Sequence, residues 1–161
     1  MKRFRSKEAT MTDTRNGAGE ARMAELIEKV FKAKTFMMHL GVRMGRVSPG
    51  QCELLLAPKP EHLQHGGWIH GGVIGALADN AAGGAAATLA PPGYGTVTVE
   101  YKINYLKPCR GPELAARARV VRAGKSVTVC LVEVVSRGEA NESVDAIALA
   151  TLAPFPLAPA A

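Results

Sequence analysis

A single carboxylate lies inside a long apolar segment in the middle of the chain. Asp79 stands within QHGGWIHGGVIGALADNAAGGAAATL, a stretch that begins at Gln64 and consists mainly of glycine, alanine and aliphatic residues. Burying a carboxylate without partners is costly, so such an acid has either structural hydrogen-bond donors or a chemical use. An acid in apolar surroundings can serve as a base near neutral pH.

The tripeptide His70-Gly71-Gly72 stands where a helix containing Asp79 would begin. The first N–H groups of a helix lack intrahelical partners, and the helix dipole is positive there. Glycine lets a ligand approach the backbone closely, which suits a polarised carbonyl oxygen or the oxyanion that it becomes. A flexible helix entrance is the alternative interpretation of the same tripeptide.

The spacing of these two features restricts how they can work together. Gly71 and Asp79 are eight residues apart, and this spacing corresponds to about 12 Å along a helix. Both residues of one chain therefore cannot contact one small carbonyl group. Either they are unrelated, or the site combines Gly71 of one subunit with Asp79 of another in a symmetric dimer with two composite sites.

The elements that must position these residues follow from periodicity. ARMAELIEKVFKAKTFMMHLG predicts an amphipathic helix that ends at Gly41, and VRMGRVSPGQCELLLAP predicts a hairpin around a Ser-Pro-Gly turn. From Gly71 to about Leu89 the chain is apolar on nearly every face, which predicts a helix buried on all sides. Strands fill the remainder, including a hairpin joined at residues 122–125.

The strand TVTVEYKINYLKP alternates and so predicts two distinct faces. One face should carry Val97, Val99, Tyr101, Ile103 and Tyr105, and the other should carry Thr96, Thr98, Glu100, Lys102 and Asn104. The expected fold is α+β: an antiparallel β-sheet wrapped around one long central α-helix, with an extra N-terminal helix. This order of elements resembles that of the hotdog fold.

Composition limits the protein class. A chain of 161 residues fits a disordered tail over residues 1–20 and a single domain over 21–157. Half of the net charge of +6 lies in residues 1–22, which argues against nucleic-acid binding but allows a phosphate-bearing substrate. Three cysteines without metal-type spacing predict reduced thiols and a cytoplasmic location. No apolar run is long enough for a membrane span, and the first residues do not resemble a signal peptide. Met11 is an alternative start of the chain.

The combined motif Q-x5-HGG-x6-D, followed by NAAG, resembles the hotdog acyl-CoA thioesterases of the phenylacetic-acid-degradation (PaaI-like) type. TVTVEYKINYLKP and VVRAGKSV also resemble a strand and a hairpin of that family, and the likeness runs from about Val42 to Leu152. The resemblance implies hydrolysis of acyl-CoA or aryl-CoA by a homodimer, commonly paired again into a homotetramer. It also implies a site across the subunit interface.

The resemblance implies a role for each residue of the motif. Asp79 would be the general base or the nucleophile, and Gly71 would donate its backbone N–H to the thioester oxygen. His70 would position that turn or hydrogen-bond near the thioester. Gln64 would orient the water or the carbonyl, and Thr98 matches a position near the acid that often holds serine or threonine.

The implied reaction requires no metal and no cofactor, because a thioester is already activated and coenzyme A is part of the substrate. Cations near turns and strand ends are candidates for the CoA phosphates, although most are expected to be solvated hairpin charges. We favour Arg122 and Lys125, which flank the turn that resembles the family hairpin. The other available cations are Lys107, Arg110 and Arg137.

A second His-Gly-Gly begins at His65, but an alignment on it would place Ile74 where the acid is needed, so His70 is preferred. Trp68, between the two, is predicted to be an ordinary interface aromatic, with the substrate entrance as the alternative.

Four other classes of protein are alternatives to the thioesterase. A hydratase or dehydratase would use the same fold with an Asp–His pair. A non-catalytic acyl-CoA-binding regulator would need a further domain, and residues 1–22 are too short for one. Neither GxSxG nor HExxH occurs, which argues against a serine hydrolase and a zinc enzyme.

Overall fold

The computed structural model describes residues 35–138 and 141–157. The predicted tail and most of the predicted N-terminal helix lie outside these residues. The last part of that helix is described as α1, Thr35–Leu40. It ends as predicted at Gly41, whose φ of 73° is accessible to glycine without a steric penalty.

Strands β1, Arg43–Ser48, and β2, Gln51–Leu56, form the predicted hairpin. A 3-10 helix follows at Pro60–His62, and the long helix α2 spans Gly71–Ala87. The remaining strands are β3, Tyr94–Tyr105; β4, Glu113–Ala123; β5, Thr128–Arg137; and β6, Glu142–Pro156.

All six strands form one antiparallel sheet in the order β1-β2-β4-β5-β6-β3. This arrangement confirms the predicted α+β architecture of a sheet around a central helix. Strands β1 and β3 form the two edges of the sheet. The side chains between the sheet and α2 are aliphatic and small, and include Leu54, Leu77, Ala81, Val132 and Leu152.

Helix α2 is buried on only one side, so the prediction that it is buried all round is wrong for the single chain. Its sheet-facing residues recur at helical spacing from Ile74 to Ala86 and are buried. The opposite side is at least partly exposed, because a six-stranded sheet curls around only part of the helix. We call this side the open stripe of α2; it consists of Gly72, Ala76, Asp79, Asn80, Gly83 and Ala87.

Strand β3 contains one residue more than its partner strand requires. Thr98 pairs with Leu152 and Glu100 pairs with Thr151, so Val99 is an extra residue between consecutive partners. Such a bulge reverses the alternation of side chains beyond it, since neighbouring strand residues point to opposite faces. The regular two-face pattern predicted for this strand is therefore wrong.

The bulge changes which side chains of β3 face α2. The predicted polar residues Thr96 and Thr98 both hydrogen-bond to groups of α2. Beyond the bulge, Tyr105 hydrogen-bonds to the start of the helix. Val97 and Val99, predicted to share a face with Tyr105, flank Thr98 and therefore lie on the side of the strand away from α2. Three hydroxyl groups of β3 therefore hydrogen-bond to α2.

Candidate active site

The first residues of α2 leave one backbone N–H group without an acceptor. His70 is the N-cap, and its Nδ1 accepts a hydrogen bond from the N–H of Gly72 at 2.9 Å. The N–H groups of Val73 and Ile74 donate to the carbonyl oxygen of His70. Among the described residues no acceptor meets the N–H of Gly71. We call this start, His70 to Gly72, the mouth of α2; it offers an unpaired donor at the positive end of the helix.

Tyr105 packs directly against the mouth. Its hydroxyl donates to the carbonyl oxygen of Gly71 at 2.8 Å, and a Cβ at position 71 would lie 3.1 Å from the hydroxyl. This tight approach favours glycine at position 71. Burial, and secondly Tyr101, raise the pKa of Tyr105, so the hydroxyl remains a donor at neutral pH. This contact could not be predicted, because the alternation of residue types in β3 does not reveal the bulge.

Asp79 lies on the open stripe with one hydrogen-bond donor beside it. The Thr98 hydroxyl donates to its Oδ1 at 2.7 Å. Asp79 is partly exposed in the single chain, so the expectation that it is buried is wrong at this level of assembly. The structure places Thr98 against the acid, at the position that the resemblance implies, while the catalytic role of both residues remains a prediction.

The structure does not bring Gly71 and Asp79 of one chain together. Both belong to the uninterrupted helix α2, so their separation along its axis is about 12 Å. Gln64 lies in the turn that precedes the mouth, where its N–H donates to the carbonyl oxygen of Trp68 at 2.8 Å. Within a single chain, His70 and Gly71 thus form the mouth with Gln64 in the turn before it, and Asp79 and Thr98 form a second group further along α2.

An apolar cavity of about 440 Å³ extends along the open stripe. It begins at Asn80, the residue after the acid, and follows Gly83 and Ala87 towards the end of α2. Met44 of β1 and Tyr94 of β3 are among its walls, because the two edge strands approach each other across the helix. A cavity with mainly apolar walls suits a hydrocarbon or aromatic group.

Arg122 and Lys125 lie far from the mouth of their own chain. Their hairpin is near the C-terminal end of α2, where Gly50 accepts from Val120 and donates to the hydroxyl of Thr88. Both cations are exposed. The register pairs Arg122 with Val129, which neighbours the helix-facing Cys130, so Arg122 lies on the outer face of the sheet.

The other three candidate cations all contact side chains of their own chain. The Lys107 ammonium lies 3.5 Å from Oδ1 of Asp145. The Arg110 guanidinium lies 4.7 Å from the centroid of the Trp68 ring, close to the mouth. Arg137 forms ion pairs on the outer face of the sheet, with Glu53, Glu113 and Glu142. These contacts were not predicted, because most of them join residues far apart in sequence; the pair of Arg137 and Glu142, five residues apart, is the exception.

Two further observations apply to residues 35–138 and 141–157. No group of three or more His, Cys, Asp and Glu side chains is arranged to hold a metal ion. His62 is buried, and its Nδ1 accepts a hydrogen bond from the N–H of Lys59 at 3.0 Å. No helix in these ranges has the length and apolar character that crossing a membrane requires.

Known proteins match this fold and this segment. The Thioesterase superfamily matches residues 66–142, which include the mouth, Asp79 and β3. A thioesterase family protein from Silicibacter pomeroyi superposes with a TM-score of 0.81 and 30% identity, over 83% of this chain and 98% of that one. The E. coli PaaI protein of the phenylacetic acid degradation operon shares the fold, with a TM-score of 0.77 and 19% identity over 86% and 99% of the chains.

The chain therefore belongs to the thioesterase superfamily, and the predicted PaaI-like hotdog fold and thioester hydrolase class are confirmed. Among its relatives is human acyl-coenzyme A thioesterase 13. That protein is 26% identical over 117 residues, which are 71% of this chain and 83% of the human one.

Proposed function

We propose that the protein hydrolyses acyl-CoA or aryl-CoA thioesters to the free acid and CoA, at sites shared between two copies of the chain. The observation that carries this proposal is Asp79, held by Thr98 on the open stripe of a helix whose mouth has an unpaired N–H. The human relative named acyl-coenzyme A thioesterase 13 supports CoA as the carrier.

The open stripe supports a symmetric dimer. Its glycine and alanine residues permit close approach of a second helix, and β3 is a twelve-residue edge strand. Such an edge is suited to pairing with another chain. Two antiparallel helices related by a twofold axis at the level of Gly75 place Gly71 of one copy level with Asp79 of the other. Two equivalent sites result.

The proposed chemistry uses groups from both copies. The thioester oxygen accepts from the N–H of Gly71, which stabilises the negative charge that develops on that oxygen. Asp79 of the second copy removes a proton from a water molecule that attacks the acyl carbon, or attacks that carbon itself. In the first route the carbon–sulfur bond then breaks, and CoA leaves as a thiolate that takes up the proton held by Asp79. In the second route the same bond breaks and leaves a mixed anhydride between the acyl group and Asp79. A water molecule hydrolyses this anhydride to the free acid and the Asp79 carboxylate, and its proton neutralises the thiolate. Both routes for Asp79 remain part of the proposal.

The other residues of the motif have supporting roles in this scheme. His70 holds the turn, since its Nδ1 is already engaged by the N–H of Gly72. Gln64, in the turn before the mouth, orients the water or the carbonyl group. Thr98 holds Oδ1 of Asp79 and leaves Oδ2 directed to the reaction.

The same dimer geometry accounts for the acyl and CoA portions of the substrate. The apolar cavity begins beside Asp79 and would receive the acyl or aryl group. In an antiparallel pair, the C-terminal end of one α2 extends towards the mouth of the other. The hairpin that carries Arg122 and Lys125 lies at that C-terminal end, so these cations would approach the phosphates of CoA bound at the mouth of the second copy.

A thiol-release assay tests the proposal. Purified protein should release CoA from a panel of acyl-CoA and aryl-CoA thioesters, and Asp79→Asn should lower kcat at least about 100-fold, as expected for a lost base or nucleophile. Circular dichroism should show an unchanged fold. Glu133→Gln, which neutralises an exposed carboxylate of β5, is the matched control and should retain activity.

Three outcomes would overturn the proposal. Hydration of an enoyl-CoA without thiol release would identify the hydratase. Tight acyl-CoA binding without turnover would identify the regulator. Full activity of Asp79→Asn would remove this acid from the reaction.

A further inference from the structure

The segment that follows β3 contacts the residues directly before the mouth of α2. The carbonyl oxygen of Cys109 accepts a hydrogen bond from the N–H of Ile69 at 3.1 Å. The guanidinium of the next residue, Arg110, lies over the ring of Trp68. Trp68 and Ile69 immediately precede His70, so this segment determines the direction from which the chain enters α2.

A buried carboxylate holds this segment in place. Asp145 of β6 is 1% exposed, and its Oδ2 accepts from the Cys109 thiol at 2.9 Å. Its backbone carbonyl accepts from the N–H of Leu106 at 2.8 Å. Its Oδ1 lies 3.5 Å from the ammonium of Lys107. One residue thus contacts three of the four positions from 106 to 109.

A bulge in β6 places Asp145 in the interior. Val134 pairs with Ala146 and Val135 pairs with Val144, so Asp145 is an extra residue in β6 relative to β5. Bulges of this kind redirect a side chain. Here the bulge turns inward a carboxylate that regular pairing would place on the outer face, next to the buried Ala146.

Burying the Asp145 carboxylate carries a desolvation penalty. Oδ1 of Asp145 has no hydrogen-bond partner among the described residues, and the Lys107 ammonium hydrogen-bonds to the Ser143 hydroxyl. Burial first, and then Asp145, raise the pKa of the Cys109 thiol well above its ordinary value, so the thiol stays protonated and donates. An apolar side chain would avoid this desolvation cost, but it could not hold the thiol or the ammonium.

We propose that Asp145 and Cys109 are positioning residues for the thioester hydrolysis. They fix the Cys109 carbonyl, which holds Ile69 and thereby sets the direction of the Gly71 N–H towards the substrate oxygen. This inference rests on the proposed function. Displacing a donor by about 1 Å can reduce the rate up to 100-fold, and a donor that acts mainly in the transition state affects kcat more than KM.

Substitutions of Cys109 separate positioning from packing. Cys109→Ala removes the donor to Asp145 and should lower kcat about tenfold, with KM within about twofold of wild type. Cys109→Ser restores an O–H donor and should recover kcat to within about threefold. Cys130→Ala is the matched control, since Cys130 is 0% exposed and contacts Ala82, far from the mouth; kcat should remain unchanged even if the melting temperature falls.

Trp68 provides a second readout that needs no turnover. It is the only tryptophan of the chain, and it lies under Arg110 at the mouth. Cys109→Ala and Asp145→Asn should shift its fluorescence emission, whereas Cys130→Ala should not. Lys107→Met should give a smaller shift in the same direction; because the Lys107 side chain is 48% exposed, this variant is expected to fold even if Cys109→Ala does not.

The inference and the proposed function can fail separately. Wild-type kcat in Cys109→Ala, no recovery in Cys109→Ser, or an equal loss of kcat in Cys130→Ala would overturn the inference while Asp79 retained its role. If the wild type releases no thiol, the proposed function fails, and the shift in Trp68 emission still shows whether Asp145 controls the mouth. An unchanged emission in Asp145→Asn and Lys107→Met would also overturn the inference.

Discussion

Asp79 and Asp145 are identical side chains in opposite surroundings. Asp79 is partly exposed on the open stripe and accepts one hydrogen bond, from Thr98. Asp145 is almost fully buried and is enclosed by the Cys109 thiol and the Lys107 ammonium. A carboxylate with an accessible oxygen can act on a substrate, whereas an enclosed one can act only on the structure around it. The exposure of each carboxylate and the groups that contact it therefore distinguish the two roles more clearly than the surrounding sequence does.

The largest effect is expected from a substitution that prevents the proposed dimer, so that Asp79 no longer faces the mouth of a second copy. Ala76→Arg places a long cation on the open stripe without breaking the helix. We expect a monomer whose kcat/KM is at least about 100-fold lower, because the acid and the N–H of Gly71 are then about 12 Å apart. Light scattering and thiol release measure the two effects.

The control for this variant is Ala57→Arg, which makes the same change at an exposed loop position. It should retain both the wild-type assembly and the wild-type activity. A fully active Ala76→Arg monomer would show that Asp79 works within its own chain, and the shared site would have to be abandoned.

A comparison of stability sharpens the contrast between the two acids. Asp145→Ala should lower the free energy of unfolding by about 2 kcal/mol, because the unsatisfied Cys109 thiol and the void left in the interior together outweigh the desolvation cost that the substitution relieves. Asp79→Ala should change it by less than about 1 kcal/mol, because alanine is the better helix former and offsets the lost Thr98 bond. Urea denaturation measures both, and a gain in stability from Asp145→Ala would contradict the prediction.

The sequence was sufficient to predict the features that depend on local chemistry. The glycine at the end of α1, the hairpin around Pro49-Gly50 and the start of α2 at Gly71 all follow from residue type and periodicity. The membership of Asp79 in α2 follows from the same reasoning. These features require only the preferences of neighbouring residues, so they do not depend on knowing which strands pair.

The bulges at Val99 and Asp145 could not be predicted in this way. Val99 and Asp145 become extra residues only when β3 and β6, or β5 and β6, are aligned side by side. Because a bulge reverses the facing of the residues beyond it, the contact of Tyr105 with the mouth and the burial of Asp145 were both missed. The exposure of Asp79 was also missed, since it depends on how far the sheet curls around α2.

The smallest expected effect concerns the single hydrogen bond to Asp79. Thr98→Val removes the hydroxyl that holds Oδ1 and should lower kcat about tenfold, equivalent to about 1.4 kcal/mol, a reasonable value for a hydrogen bond to a charged group. Thr98→Ser keeps a hydroxyl and should stay within about threefold of wild type. Steady-state thiol release measures both.

A matched control shows whether that loss is specific to the acid. Thr151 donates to Oε1 of Glu100 at 2.6 Å on an exposed part of the sheet, so Thr151→Val also removes a hydroxyl from a carboxylate. It should leave kcat unchanged. Equal losses from Thr98→Val and Thr151→Val would mean that the sheet responds generally to the loss of a hydroxyl. A loss confined to Thr98 would mean that the orientation of the Asp79 carboxylate, and not its mere presence, contributes to the rate.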